Sequence, residues 1–300
     1  MSEAKYTPEE IISRLELKPV TQYQSEIISS PLEPSVVIAG AGSGKTETMS
    51  NRVLYLVANG FVTPDQILGL TFTRKAAGEL SVRIRKRLRQ LAAHKDFKHI
   101  TSTSTSVTTY HSYAGKLLSE HAIRYGIDAD AEPLGEAAIW QIASDVVRNW
   151  SDDSYRNQSA VSTVIKDLLG LSKLMLEHQV KAEDIERIGN EVLLSLQPLT
   201  GSSNAEVRDV AKAMRQRNSL LPMVEVFMQR RKAAGEFSFD DQMSLAADIA
   251  QNFEDVGVLE RGKYKVVLLD EYQDTSQSQV RMLSSLYGGG HPVMAVGDPS

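Results

Sequence analysis

The sequence predicts an α/β fold: a mostly parallel sheet with helices on both faces, interrupted by an all-α insert. Three observations predict it. Short apolar runs at 36–39, 67–72, 107–110, 265–269 and 293–296 alternate with helical patterns, as in a sheet built from strand–helix repeats. The first run leads into a glycine-rich loop, and the run at 265–269 leads into two adjacent acids. From about 120 to 230 the pattern changes to helices alone.

Val36-Val37-Ile38 is continuously apolar, as expected of a parallel strand covered on both faces. Ala39-Gly40-Ala41-Gly42-Ser43-Gly44-Lys45-Thr46 follows with the spacing of a phosphate-binding loop. Small residues let backbone N–H groups turn inward around phosphates. Lys45 reaches the β- and γ-phosphates in this arrangement, and the Thr46 hydroxyl is a Mg²⁺ ligand. A helix starting near Gly44 adds its positive dipole end. The strict pattern opens with Gly, and Ala39 stands there instead.

Val266-Val267-Leu268-Leu269 ends in Asp270 and Glu271, at the carboxyl edge where open α/β sheets place ligands. Asp270 suits the Mg²⁺, directly or through water, and Glu271 suits the base or orienter of an attacking water. Gln273 is a candidate reporter on the γ-phosphate. Lys45 and Asp270 are 225 positions apart, wide for a compact ATPase core, so something is inserted between them.

In the helical stretch Ile139, Ile142, Ala143, Val146, Val147 and Trp150 share one face, and Val161, Val164, Ile165, Leu168 and Leu169 repeat the pattern. Thr200 to Asn204 is small and polar and reads as a turn. The Ser/Thr alternation from Thr101 to Ser106 reads as a loop or strand entry without chemistry.

At 300 residues and 42% hydrophobic, the chain can bury a sizeable core and hold more than one domain. Net charge is −5, so no overall basic field draws in nucleic acid. Any such binding is local, and Thr71 to Lys98 is the basic segment, with nine Lys and Arg against Glu79 and Asp96. There is no cysteine, which excludes disulfides and thiolate metal sites. The six histidines are scattered, so no structural metal is expected. No apolar signal core or membrane-length run is present, as expected of a cytoplasmic protein.

The loop Ala39 to Thr46, then Thr71-Phe72-Thr73-Arg74-Lys75-Ala76-Ala77, Thr109-Tyr110-His111-Ser112, Asp270-Glu271-Tyr272-Gln273-Asp274-Thr275 and Val296-Gly297-Asp298-Pro299 resemble, in order, the motifs of superfamily 1A DNA helicases of the UvrD/Rep/PcrA type. The resemblance covers about 20–115 and 235–300 closely; the stretch between matches only in being helical. It implies a RecA-like ATP-binding domain in two segments, 1–115 and 235–300, around a helical inserted subdomain, 116–234. It also implies ATP-driven 3′→5′ translocation on single-stranded DNA by two RecA-like domains, in DNA repair or recombination, with single strands and single-strand/duplex junctions as partners.

Val20-Thr21-Gln22-Tyr23-Gln24 resembles the segment in which this family reads adenine, which maps onto Gln24. By the same resemblance Phe72 is a candidate for base stacking, Thr73, Arg74 and Lys75 for backbone binding, and His111 for a second contact. Without it, Phe72 reads as core. Arg83 to Arg89 read as a solvated face. Phe237 to Asp241 resembles the segment returning the chain to the sheet, with Asp240 or Asp241 structural.

Glu47 departs from the Arg that many relatives carry after the loop Thr. An acid there makes the chain look more like a motor subunit of a helicase–nuclease of the AdnAB kind, with a nuclease domain beyond residue 300 and a second subunit as partner. The chain ends just inside the family's third motif, so the 300 residues alone are expected to hydrolyse ATP hardly at all. Two other classes remain open: a P-loop kinase or other small-molecule NTPase, and a non-catalytic nucleotide-sensing module. The first gives no reason for the Thr71 to Ala77 or Asp270 to Thr275 motifs, and the presence of Lys45, Asp270 and Glu271 together counts against the second.

Overall fold

A computed structural model describes residues 4–40, 42–98, 100, 103–128, 131–151, 160–197 and 205–298. The predicted turn at Thr200–Asn204, the loop residues Thr101 and Ser102, and Ala41 and Pro299 of the motifs lie outside them. Chain packing divides the molecule into two compact units, residues 1–117 with 247–300, and residues 118–246.

The first unit carries α1 (Pro8–Arg14), α2 (Gln22–Ser29), β1 (Ser35–Ile38), α3 (Lys45–Ala58), β2 (Ile67–Thr71), α4 (Arg74–Ala93), β3 (Ser106–Thr109) and the start of α5 (Tyr110–His121). After the second unit come the end of α10 (Asp241–Asn252), then α11 (Glu254–Lys263), β4 (Val266–Leu269), α12 (Gln277–Tyr287) and β5 (Val293–Gly297). All five strands are parallel, in the order β1-β5-β4-β2-β3. They begin or end within one or two residues of the predicted runs.

β2 and β4 are buried along their whole lengths, as central parallel strands covered on both faces should be. β1 corrects the expectation. It pairs only with β5 among the described residues, and Val36 and Ile38 are 69% and 73% exposed. Val37 alone packs on the core that Met49, Val53, Leu268, Met294 and Val296 help form. Position at the edge leaves β1 without a hydrogen-bonded neighbour on one side, and separately the sheet face that carries Val36 and Ile38 is uncovered among the described residues; an apolar run reveals neither.

Three helix starts are fixed by reciprocal side-chain caps: Thr7 with Glu10, Thr21 with Gln24 and Ser276 with Gln279. The far end of α2 is held by Arg52. Its guanidinium, 3% exposed, donates to the carbonyls of Ile28 (2.6 Å), Ser30 (2.5 Å) and Pro31 (2.9 Å). The cation thus satisfies acceptors left over at a helix C-terminus. Behind the sheet Tyr113 and Tyr287 both donate to Glu260, at 2.6 and 3.3 Å, which makes a carboxylate only 4% exposed tolerable.

The second unit contains α6 (Glu136–Arg148), α7 (Val161–His178), α8 (Ala182–Leu196) and α9 (Ala205–Ala233). Ala143, Val146, Val147, Val164, Ile165 and Leu168 are buried in one cluster with Leu220, Val224 and Phe227 of α9. Ile139, Ile142, Trp150 and Leu169 pack on its margin. Val161 departs from its predicted face and is 39% exposed, since it opens its helix. Residues 235–246, read from the sequence as returning to the sheet, pack with this unit. Asp241 is the reason: it pairs with Arg231 and accepts from Ser238 N (2.6 Å) and Oγ (2.8 Å). The Asp is therefore structural, as expected.

Candidate functional site

The loop after β1 and the acids after β4 meet at the carboxyl edge of the sheet. β5 lies between those strands, so two strand spacings, about 9.5 Å, separate them. Lys45 bridges the gap: its Nζ stands 3.3 Å from Glu271 Oε2, joining residues 226 apart. Gly42 and Gly44 hold φ of +77° and +89°, left-handed conformations that let the loop fold back on itself. Gly44 is also the N-cap of α3 and brings no side-chain cap, so the first N–H groups of the helix are not claimed by a capping side chain. That is the arrangement in which a helix start receives an anion. Ala39 N donates to Gly297 O (3.0 Å), which fastens the loop to β5.

Asp270 is 6% exposed, with its N–H on Leu70 O (2.9 Å). Burial, then the neighbouring Glu271 charge, pushes its carboxyl above the usual carboxylate range. The Glu271 N–H on Oδ1 (3.1 Å) and Lys45 act the other way. A buried carboxylate disfavoured in this way is suited to a divalent cation. No group of three or more His, Cys, Asp or Glu placed to hold a metal ion occurs among the described residues. In donor chemistry, a Thr46 hydroxyl and an Asp270 carboxylate are nonetheless of the kind Mg²⁺ accepts, since it takes few protein ligands and fills its shell with water and phosphate.

Glu271 is itself strained, at φ +51°, which turns its side chain back toward the loop. Gln273 donates to Glu271 Oε2 (2.9 Å), and its Oε1 accepts from Asp298 N (2.9 Å). A Cβ on Gly297 would come within 2.8 Å of that Oε1, so the glycine makes room for the bridge. The structure thus places Gln273 between the acids and the end of β5.

Gln24 stands over the loop and is doubly engaged. Its Oε1 accepts from Thr21 N (3.1 Å) and its Nε2 donates to Ser43 O (3.0 Å). Reading a base with both ends of the amide requires these bonds to be exchanged. A cleft of about 290 Å³ opens beside it, lined by Gln24, Ser43, Lys45, Ile27, Val37 and Met49 among others. Larger cavities, about 430 and 610 Å³, surround Gly288 to His291, but none of Lys45, Asp270 or Glu271 lines them.

Along the same edge Thr73, Arg74, Lys75 and His111 are exposed, and Phe72 is half-buried. Phe72 lies 4.9 Å from the Tyr110 ring at an interplanar angle of 50°, so part of the ring is packed. Thr73 Oγ1 caps α4 by accepting from Ala76 N (3.0 Å). Tyr110, wholly buried, donates to the Asp270 carbonyl (3.3 Å) and so joins the Phe72 contact to the acidic strand end. Sequence reasoning assigned Tyr110 no role; its place between a strand end and His111 was the available signal. Arg87 is a correction. It is 9% exposed instead of solvated, paired with Glu47 and donating to Asn51 Oδ1 (2.8 Å).

The chain is 30% identical over 255 residues to the ATP-dependent DNA helicase UvrD1 of Mycobacterium tuberculosis (strain ATCC 25618 / H37Rv), covering 85% of this chain and 28% of that protein. It is 26% identical over 283 residues to UvrD1 of Mycobacterium leprae (strain TN), covering 94% and 32%. It is 25% identical over 286 residues to the ATP-dependent DNA helicase PcrA of Staphylococcus epidermidis (strain ATCC 12228 / FDA PCI 1200), covering 94% and 33%. The chain therefore spans about a third of the length of these curated relatives. Residues 20–300 match the model of the UvrD/REP helicase N-terminal domain, and the chain belongs to that family.

Proposed function

We propose that this chain is the ATP-binding half of a DNA helicase that moves 3′→5′ along single-stranded DNA and acts in repair or recombination. The observation that carries the reading is the Lys45–Glu271 contact at 3.3 Å. It brings the loop lysine and the candidate base to one point, where a polyphosphate can exchange them. Lys45 leaves Glu271 for the β- and γ-phosphates, and Glu271 is released to orient and deprotonate the attacking water. Thr46 and Asp270 are the residues that would hold Mg²⁺, which would neutralise phosphate charge. Gln273 links Glu271 to the end of β5 and is our candidate for relaying the state of the γ-phosphate. Gln24 supports adenine recognition once its amide leaves Ser43 O and Thr21 N. Ala39 to Thr46 cradle the phosphates through backbone N–H groups.

For DNA, Phe72 offers one ring face to a base, and Thr73, Arg74, Lys75 and His111 offer contacts to the strand. An arginine from a second RecA-like domain can contribute roughly 10³–10⁵ in rate, so the 300 residues alone should turn over ATP very slowly. The test is unwinding by the complete protein of duplexes carrying a 3′ or a 5′ single-stranded tail. Activity from the 3′ tail is expected. Unwinding from a 5′ tail alone would refute the polarity, and ATP hydrolysis indifferent to DNA would refute the helicase assignment.

A further inference from the structure

Glu47 follows directly after the loop threonine, in the first turn of α3, where an acid beside a polyphosphate is electrostatically unfavourable. Its carboxylate is drawn sideways onto α4. It pairs with Arg87 and lies 3.4 Å from Arg83 Nη1, while Arg87 donates its other arm to Asn51 Oδ1 at 2.8 Å. Glu47 and Asn51 are one turn apart on α3, and Arg83 and Arg87 are one turn apart on α4. The result is a ladder of two rungs between the two helices. The inner rung is buried, with the Arg87 side chain 11% exposed, so α4 cannot move there without either carrying Glu47 with it or leaving a guanidinium unpaired.

We propose that Glu47 is a positioning residue that couples occupancy of the α4 N-terminus by a single strand to the phosphate loop. The inference rests on the DNA reading of Thr73 to Lys75 given above. α4 starts at those residues and runs unbroken from Arg74 to Ala93. Arg83 lies about 13 Å along it from Arg74, so a displacement at the helix start reaches the ladder as a rigid-body shift. Glu47 shares the first turn of α3 with Lys45 and Thr46, and Gly44 supplies no side-chain cap to anchor that turn independently. The ladder is a side-chain link from the strand-binding edge to the phosphate loop, separate from the Phe72–Tyr110 contact that leads to Asp270. Neither Lys45 nor Glu271 takes part in it, so the link is separable from the hydrolytic groups.

The test uses the complete protein and an equilibrium readout. The affinity for a fluorescent, non-hydrolysable ATP analogue with Mg²⁺ is measured with and without an oligo-dT strand, in wild type, Glu47→Gln, Arg87→Met and the double variant. Oligo-dT affinity without nucleotide and thermal stability are recorded alongside. Wild type should show a coupling factor within about 5–150-fold, and each single variant should lower it about fivefold or more while oligo-dT affinity stays within about twofold. The double variant should lower it no further than the worse single. An unchanged coupling factor in Glu47→Gln overturns the proposal, and with a lowered melting temperature it makes the ladder a brace only. A wild type that binds both ligands independently overturns it too, with DNA binding intact. A wild type that binds no oligo-dT contradicts the DNA reading itself.

Discussion

Replacing Arg52 by methionine removes the clamp on the C-terminal end of α2, the helix that starts with the Gln24 segment. Three bonds from a charged donor are worth about 1.5–3 kcal/mol each. Burial opposes them: it pushes the guanidinium down from its usual value to about 10, which amounts to about 3 kcal/mol against the charged form. Methionine fills much of the volume but leaves the carbonyls of Ile28, Ser30 and Pro31 without this donor. The net loss should be about 1.5–6 kcal/mol. Denaturant titration of the nucleotide-free protein measures it, and each kcal/mol should cost about 2–4 °C in melting temperature. Arg52→Lys should recover less than half, because one ammonium cannot fork across three acceptors. With α2 loosened, KM for ATP should rise while kcat holds. A methionine variant as stable as wild type, or a lysine variant indistinguishable from it, would refute the clamp.

Asp270→Asn should raise the melting temperature of the nucleotide-free protein at pH 7 while abolishing Mg²⁺-dependent turnover. Its folded-state value lies above the unfolded one, so ionising it favours unfolding, and this contribution to stability is lost as pH rises from about 4 through the folded value; a lower melting temperature for Asn in metal-free buffer would contradict the sign. Phe72→Ala should weaken oligo-dT binding by about 1–3 kcal/mol with little change in salt dependence. If the variant instead loses stability and keeps its DNA affinity, the ring belongs to the Tyr110 contact alone. Lys75→Ala should flatten the salt dependence by about 0.7 in slope if the ammonium neutralises one phosphate, and an unchanged slope would remove Lys75 from the interface.

Much of the fold was legible because parallel strands announce themselves. Val266 to Leu269 is apolar on both faces and ends in acids, and the structure buries all four residues. The strand order was not legible: nothing in Val36-Val37-Ile38 says that β5 inserts beside it or that its outer neighbour is absent among the described residues. At the site, Lys45 and Glu271 declared themselves by type and spacing, whereas their 3.3 Å contact depends on β5 setting the separation of β1 and β4. Gln24 carried a local signal, the capping pattern with Thr21, that is independent of any base-reading role. Arg87 was misread because a basic helix with period-appropriate charges looks solvated until a partner acid is found, and Glu47 is 40 positions away. The unit boundary near 246 was hidden for a similar reason, since Asp241 finds its partner in Arg231 of the preceding helix.

In the proposed mechanism Lys45 binds the phosphates while Glu271 activates water. Nucleotide affinity and ATP turnover, each measured with saturating single-stranded DNA, test it in Lys45→Ala and Glu271→Gln of the complete protein. Lys45→Ala should lose both binding and turnover, whereas Glu271→Gln should keep Mg·ATP affinity and lose turnover, because an amide holds the shape but takes no proton. Equal loss of binding in the two variants, or DNA-stimulated turnover surviving in Glu271→Gln, would contradict it.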